Sequence, residues 1–136
     1  MMRFVGALGL AQLVLGVLGL RKAYREGRPA ELPFGRISSA DEMRRRHWLE
    51  GTALSAPTVM LAVQSVASVA LLVSSRPPVL AARVLGVLGA LMSIGAPVER
   101  IWRESLVTPD REVTPLTIGG FLLGLKLAIL GWSAGR

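Results

Sequence analysis

The chain has 136 residues, 51% of them hydrophobic, with 16 Lys and Arg against 9 Asp and Glu and a net charge of +7. Such a short, apolar chain forms one unit rather than several domains, and its positive charge is read as loop charge facing anionic lipid, not as a nucleic-acid surface. The absence of cysteine excludes disulfides, thiol redox chemistry and cysteine-ligated clusters, and one histidine, His47, argues against a His-rich metal or haem site; no cofactor is expected.

Four apolar segments, at 4–20, 53–73, 79–98 and 116–132, each come close to the roughly 20 residues that a helix needs to cross a ~30 Å hydrocarbon core. In the first, Gly6, Gly9, Gly16 and Gly19 share a face with Gln12, a small-residue stripe suited to close helix packing. Its length, and positive charge that follows instead of preceding it, argue against a cleavable signal. The loop over 27–40 carries Pro29, Pro33 and Gly35 and should be irregular. Ser39-Ala40-Asp41-Glu42 has capping-box form, so a short helix bearing Arg44, Arg45 and Arg46 should begin there and run into the second span.

Within the second span, Pro57 cannot donate to the carbonyl of Ala53, which predicts a bend. Pro97 predicts another near the end of the third. The fourth should start at Thr114-Pro115, with proline at the first helical position, and carries a stripe of Gly120, Gly124, Ala128 and Gly131.

Charge sets the expected orientation. Arg21, Lys22, Arg25, Arg28, Arg36, Arg44, Arg45 and Arg46 follow the first span, and Arg100, Arg103 and Arg111 follow the third. The opposite side has only Arg3, Arg76 and Arg136. Loops rich in Lys and Arg stay cytoplasmic, so both termini are expected outside the cell membrane and both long loops inside, against anionic lipid headgroups. Tyr24, Trp48, Trp102 and Trp132 fall at segment ends, where aromatic rings favour the headgroup level. The fold class expected is all-α and integral to the membrane: a four-helix transmembrane bundle over residues 1–136.

A duplication is also suggested. Val-Leu-Gly-Val-Leu-Gly recurs at 14–19 and 84–89, and Glu50-Gly51-Thr52 matches Glu112-Val113-Thr114 at an offset that also pairs Gln64 with Lys126. The four spans would then be two helical hairpins related by an axis along the membrane normal.

Two polar layers follow from depth. Arg83 should lie roughly 9 Å and Lys126 about 10 Å from the outer ends of their spans at ~1.5 Å per residue. Ser68 is expected near that level, with Gln12 and Gln64 slightly deeper. Intramembrane charges cost at least roughly 2.5–3.5 kcal/mol on insertion scales, so these cations snorkel, pair within the bundle or bind an anionic group. Arg83 shares a face with Gly86, Ala90, Ser93 and Pro97, which suggests the interior. At the inner surface, His47 and Glu50 share a face with Thr58, Ser65 and Ser68, and Glu99 and Glu112 lie nearby. Histidine beside carboxylate suits acid–base chemistry.

Two functions are thus expected. Arg83, Lys126, Gln12, Gln64 and Ser68 would bind or move an amphiphilic anion, or the chain would assist a larger membrane complex or form a homo-oligomer. Alternatively, Glu50, His47 and Glu112 would act on a lipophilic, isoprenoid- or polyketide-like substrate. A cavity reaching only the outer layer favours the first, and one reaching Glu50 the second. In size and span number the chain resembles the DoxX-like class of small four-span bacterial proteins; no family motif carries over, so the resemblance implies no site residue. It does not resemble the small multidrug exporters, because its first span has no intramembrane glutamate.

Overall fold

The computed structural model describes residues 1–30, 39–76 and 78–134. The irregular loop expected over 27–40 falls largely outside them. Helix α1 spans Met2–Glu26 and stops at Gly27, whose φ of 61° lets the next amides fold back onto the carbonyl of Ala23. Helix α2, Ala40–Glu50, begins as the sequence predicts, with Ser39 Oγ accepting from the Glu42 amide at 3.2 Å.

The expected continuation of α2 into the second span does not occur. Gly51 adopts φ 73°, open to glycine at little cost, and Thr52 and Ser55 then exchange backbone hydrogen bonds in a tight turn. Helix α3 runs from Thr58 to Val73 with Pro57 as its N-cap. The bend expected at Pro57 is therefore a helix start: proline lacks the amide that a helix through 53–57 would need, and it disfavours helical geometry in the residue before it. At 16 residues, α3 is about 24 Å long at ~1.5 Å per residue, short of a ~30 Å core.

Helix α4, Val79–Gly95, tightens into a 3₁₀ turn over Ala96–Val98 around Pro97 and ends at Glu99, where the backbone is extended. An unforeseen short helix, α5, spans Arg100–Val107; it buries Ile101 and Ser105 and leaves Arg100 and Arg103 exposed. Helix α6, Val113–Ala134, starts one residue before Thr114 because Asp110 Oδ1 accepts from the amides of Glu112 and Val113 at 2.9 and 2.8 Å. Those amides hold the Asp110 carboxyl below its ordinary range.

Helices α1, α4 (with its 3₁₀ turn) and α6 are long and apolar enough to cross a membrane; α3 is a shorter apolar helix. α1 packs against α3 and α6, and α4 packs against α6 and α3. The stripe on α1 is the packed face: Gly6, Gly9, Gln12 and Gly19 are buried. Two apolar clusters mark the ends. Val5, Leu71, Ala82, Leu85 and Leu127 fill the end that holds the termini, and Ala23, Leu54, Ile101 and Val113 fill the end that holds the long loops.

Two glycines on α6 differ in what a side chain would meet. At Gly131 a Cβ would come within 2.5 Å of the Ala82 carbonyl oxygen on α4, whereas at Gly120 it would meet nothing within 4 Å. Gly131→Ala should therefore force α4 and α6 apart and destabilise by about 1–3 kcal/mol. Gly120→Ala should be neutral or stabilise by up to ~1 kcal/mol through helix propensity. Reversible denaturation in mixed micelles measures both; equal effects would mean that the two helices do not meet along Gly131.

Candidate functional site: a cavity at the loop end

Gly120 faces open space because a cavity of about 360 Å³ lies between the helices at the loop end. Its formation follows from the chain breaks. The non-helical turn from Gly51 to Pro57 lines it through Thr52, Leu54, Ser55 and Pro57, and the end of α4 lines it through Gly95 and Ala96. Gly95, like Gly120, has room for a side chain that it lacks. Irregular backbone at membrane depth persists only where protein buries it or where it borders a cavity. This turn does the second, with Gly19 of α1 so close to the Leu54 carbonyl that any Cβ would collide with it.

The walls are apolar, built by Leu15 of α1, Met60 and Leu61 of α3, Leu91 and Met92 of α4, and Leu116 of α6. Trp102 and Phe121 complete them, their rings tilted at 59° with centroids 5.4 Å apart. The polar lining residues are Gln12, Glu50, Thr52, Ser55, Glu99 and Thr117.

Gln12 belongs to a chain of amides that ties three helices together. Gln64 of α3, fully buried, donates through Nε2 to Gly9 O at 2.8 Å and to Gln12 Oε1 at 3.3 Å. Gln12 Nε2 in turn donates to Gly120 O on α6 at 3.1 Å. Ser68, one turn further along α3, is also fully buried and sits against Gly9. Among the described residues, Gln64 Oε1 and the Ser68 hydroxyl have no hydrogen-bond partner, nor do Thr52 Oγ1 and Trp102 Nε1 in the cavity lining.

Arg83 and Lys126 are not part of this group. Both are exposed, on the outer faces of α4 and α6, and neither lines the cavity. The interior face of α4 is centred on Ala82, Leu85 and Gly89, which puts Arg83 on the far side of that helix.

The inner layer also divides. Glu50, the last residue of α2, lines the cavity and pairs with Arg46 at 3.1 Å. His47 lies outside the lining, its Nδ1 2.8 Å from the Tyr24 hydroxyl and its ring edge-on to that tyrosine. Glu112, largely exposed, pairs with Lys22 at 2.5 Å and is also outside. The three expected acid–base groups therefore do not converge; Glu50 has Glu99 as its companion in the lining.

Sequence reasoning did not pick out Trp102, Thr52 or Gly95 as site residues. The available signal was the position of the helix breakers: Pro57 and Pro97 interrupt apolar segments at the loop end, and Gly51 directly precedes one. Comparisons with protein-family models, with curated proteins and with solved structures find no match, so the DoxX-like resemblance rests on size and span number alone.

If the amides act as a unit, Gln12→Leu and Gln64→Leu should each destabilise the fold by roughly 1–2 kcal/mol. The double variant should cost less than the sum, with a coupling of about 0.6–1.7 kcal/mol. Denaturation of the four proteins in one detergent measures that coupling, and strict additivity would show that the two amides do not bond each other.

Proposed function

We propose that the protein is a multi-pass membrane protein whose loop-end cavity holds a lipophilic small molecule, with Glu50 and Glu99 bordering the site. The observation that carries this reading is the cavity itself, largely apolar and with two carboxylates, Glu50 and Glu99, among its lining residues. Its volume falls at the lower end of the range for small-molecule sites. An anion site at Arg83 and Lys126 has less support, since neither cation borders the space that a ligand would fill. A cavity that reaches Glu50 favours acid–base action on a lipophilic substrate over an anion carrier; that action is the second reading, after simple binding, because His47 and Glu112 do not line the cavity beside Glu50. Glu50 and Glu99, rather than His47 and Glu112, would then meet the substrate.

In this reading α1, α3, α4 and α6 form a four-helix transmembrane bundle, supported by their packing order and by three helices of spanning length. Two hairpins, α1–α3 and α4–α6, agree with a parallel duplication in order but not in register. Gly16 meets Leu61, whereas Gly86, its counterpart in the repeat, meets Gly131 and Trp132 instead of Leu123. The distribution of Lys and Arg supports cytoplasmic loops and outer termini. Exposed Trp48 and Leu49 beside Arg44, Arg45 and Arg46 support contact of α2 with anionic headgroups.

Filling the space tests the function. Native mass spectrometry of the protein extracted from its membrane should find a bound lipophile, and Gly120→Leu should remove it while the protein stays folded. Retention of the same molecule by Gly120→Leu would place it outside the cavity. Cysteine at Ser133 should react with an impermeant reagent on intact cells and cysteine at Ser39 should not; the opposite pattern would invert the orientation.

A further inference from the structure

Most of the polar groups that line the cavity are already engaged with the protein. Glu50 pairs with Arg46 at 3.1 Å, and Glu99 also has a partner. Gln12 accepts from Gln64 and donates to the Gly120 carbonyl. Ser55 donates to the Ala56 carbonyl, and Thr117 bonds the carbonyls of Val113 and Thr114. Two lining residues differ. Thr52 Oγ1, in the turn before Pro57, and Trp102 Nε1, on α5, are buried and have no partner among the described residues. Thr52 is only 4% exposed. An indole nitrogen donates and cannot accept, and a hydroxyl donates readily. A buried donor left unmet is costly, and native structures seldom tolerate one without a reason.

We infer that the cavity takes a neutral lipophile bearing a hydrogen-bond acceptor, a ketone or ester carbonyl, which Trp102 Nε1 and Thr52 Oγ1 hold. This rests on the cavity reading above and adds to it the polar group of the occupant. A carbonyl oxygen offers two lone pairs and brings no hydrogen that would need an acceptor in turn. In surroundings shielded from water, a bond to it is stronger than the same bond would be in solvent. Charge is not what the lining selects: its carboxylates are matched by the protein, and no Lys, Arg or His is present to hold an anion. The rings of Trp102 and Phe121, 5.4 Å apart, and the leucine and methionine walls take the hydrocarbon body. A hydrocarbon of the same shape would gain those apolar contacts and leave both donors unmet.

The test compares 2-undecanone with 2-methyl-1-undecene, which has a methylene in place of the carbonyl oxygen and nearly the same shape. Each is titrated against the full chain in lipid nanodiscs, with empty nanodiscs subtracting partition into lipid. The ketone should bind saturably, one per chain, and at least about fivefold more tightly than the alkene. Trp102→Phe and Thr52→Val each remove one donor and keep an apolar wall of similar form. Each should weaken the ketone by about threefold or more and leave the alkene unchanged. The infrared carbonyl stretch of bound, carbon-13-labelled ketone should lie below its value in lipid and move back up in each variant. Gly120→Leu should abolish binding of both probes, and Gly95→Leu serves as an independent occluding variant should the first not fold. Equal affinity for ketone and alkene, lost in Gly120→Leu, would overturn the acceptor inference and leave the cavity reading standing. A ketone preference that neither Trp102→Phe nor Thr52→Val reduces would overturn the role of these two donors. Binding that survives both occluding variants, or no binding of either probe, would overturn the inference and the cavity reading together.

Discussion

A backbone that leaves helical geometry in apolar surroundings has little water to satisfy its amides and carbonyls, and the stretch from Gly51 to Pro57 leaves it where the second apolar segment begins. Thr52 and Ser55 meet part of this requirement by bonding each other, and Gly19 allows α1 to approach the Leu54 carbonyl closely enough to cover it. The rest of the turn borders the cavity. Had residue 57 been anything but proline, the apolar run from Ala53 would favour continuous helix, and the space now bounded by Thr52, Ser55 and Pro57 would be differently walled. The late start of α3, the shortness of that helix and the position of the cavity are consequences of one backbone constraint.

The other end of the same space is fixed by the Gln64–Gln12–Gly120 chain of hydrogen bonds. In lipid there is no hydrophobic gain from bringing helices together, so small residues and interhelical hydrogen bonds do that work. The glycine stripes on α1 and α6 let the backbones approach, and the amides determine which residues meet. Above this level apolar side chains fill the interior; below it the 3₁₀ turn around Pro97 and the turn before Pro57 spread the walls apart. Closely packed above and open below, the interior presents its carboxylates only where the chain breaks.

Much of this was legible in the sequence, and the limits are physical. Hydropathy located the helices of α1, α4 and α6 because a long apolar run in a helix satisfies its own backbone. The Ser39 cap and the buried face of α1 followed from side-chain chemistry and from helical periodicity. Hydropathy was blind to the start of α3, since Ala53, Leu54 and Ala56 are as apolar in a turn as in a helix; Pro57 was the signal, and it stopped the helix instead of bending it. Helix α5 escaped because its polar face ends the apolar run before Arg100. Depth placed Arg83 and Lys126 near the buried amides, but depth says nothing of the side of the helix, and both cations face outward. For the same reason Glu50 emerged in the cavity lining while His47 and Glu112, at a similar level, bond to Tyr24 and Lys22 outside it.

The cavity depends on the non-helical stretch before Thr58. A nitroxide scan from Gly51 to Val73 in lipid bilayers, reading collisions with a water-soluble nickel chelate and with oxygen, tests it directly. Residues 53 and 56 should be reached by the chelate with no helical periodicity, and an oscillation of 3.6 residues should begin only at Thr58. An oscillation that runs unbroken back to Ala53, with oxygen preferred over the chelate, would mean that the second span is a continuous helix and that the cavity is closed.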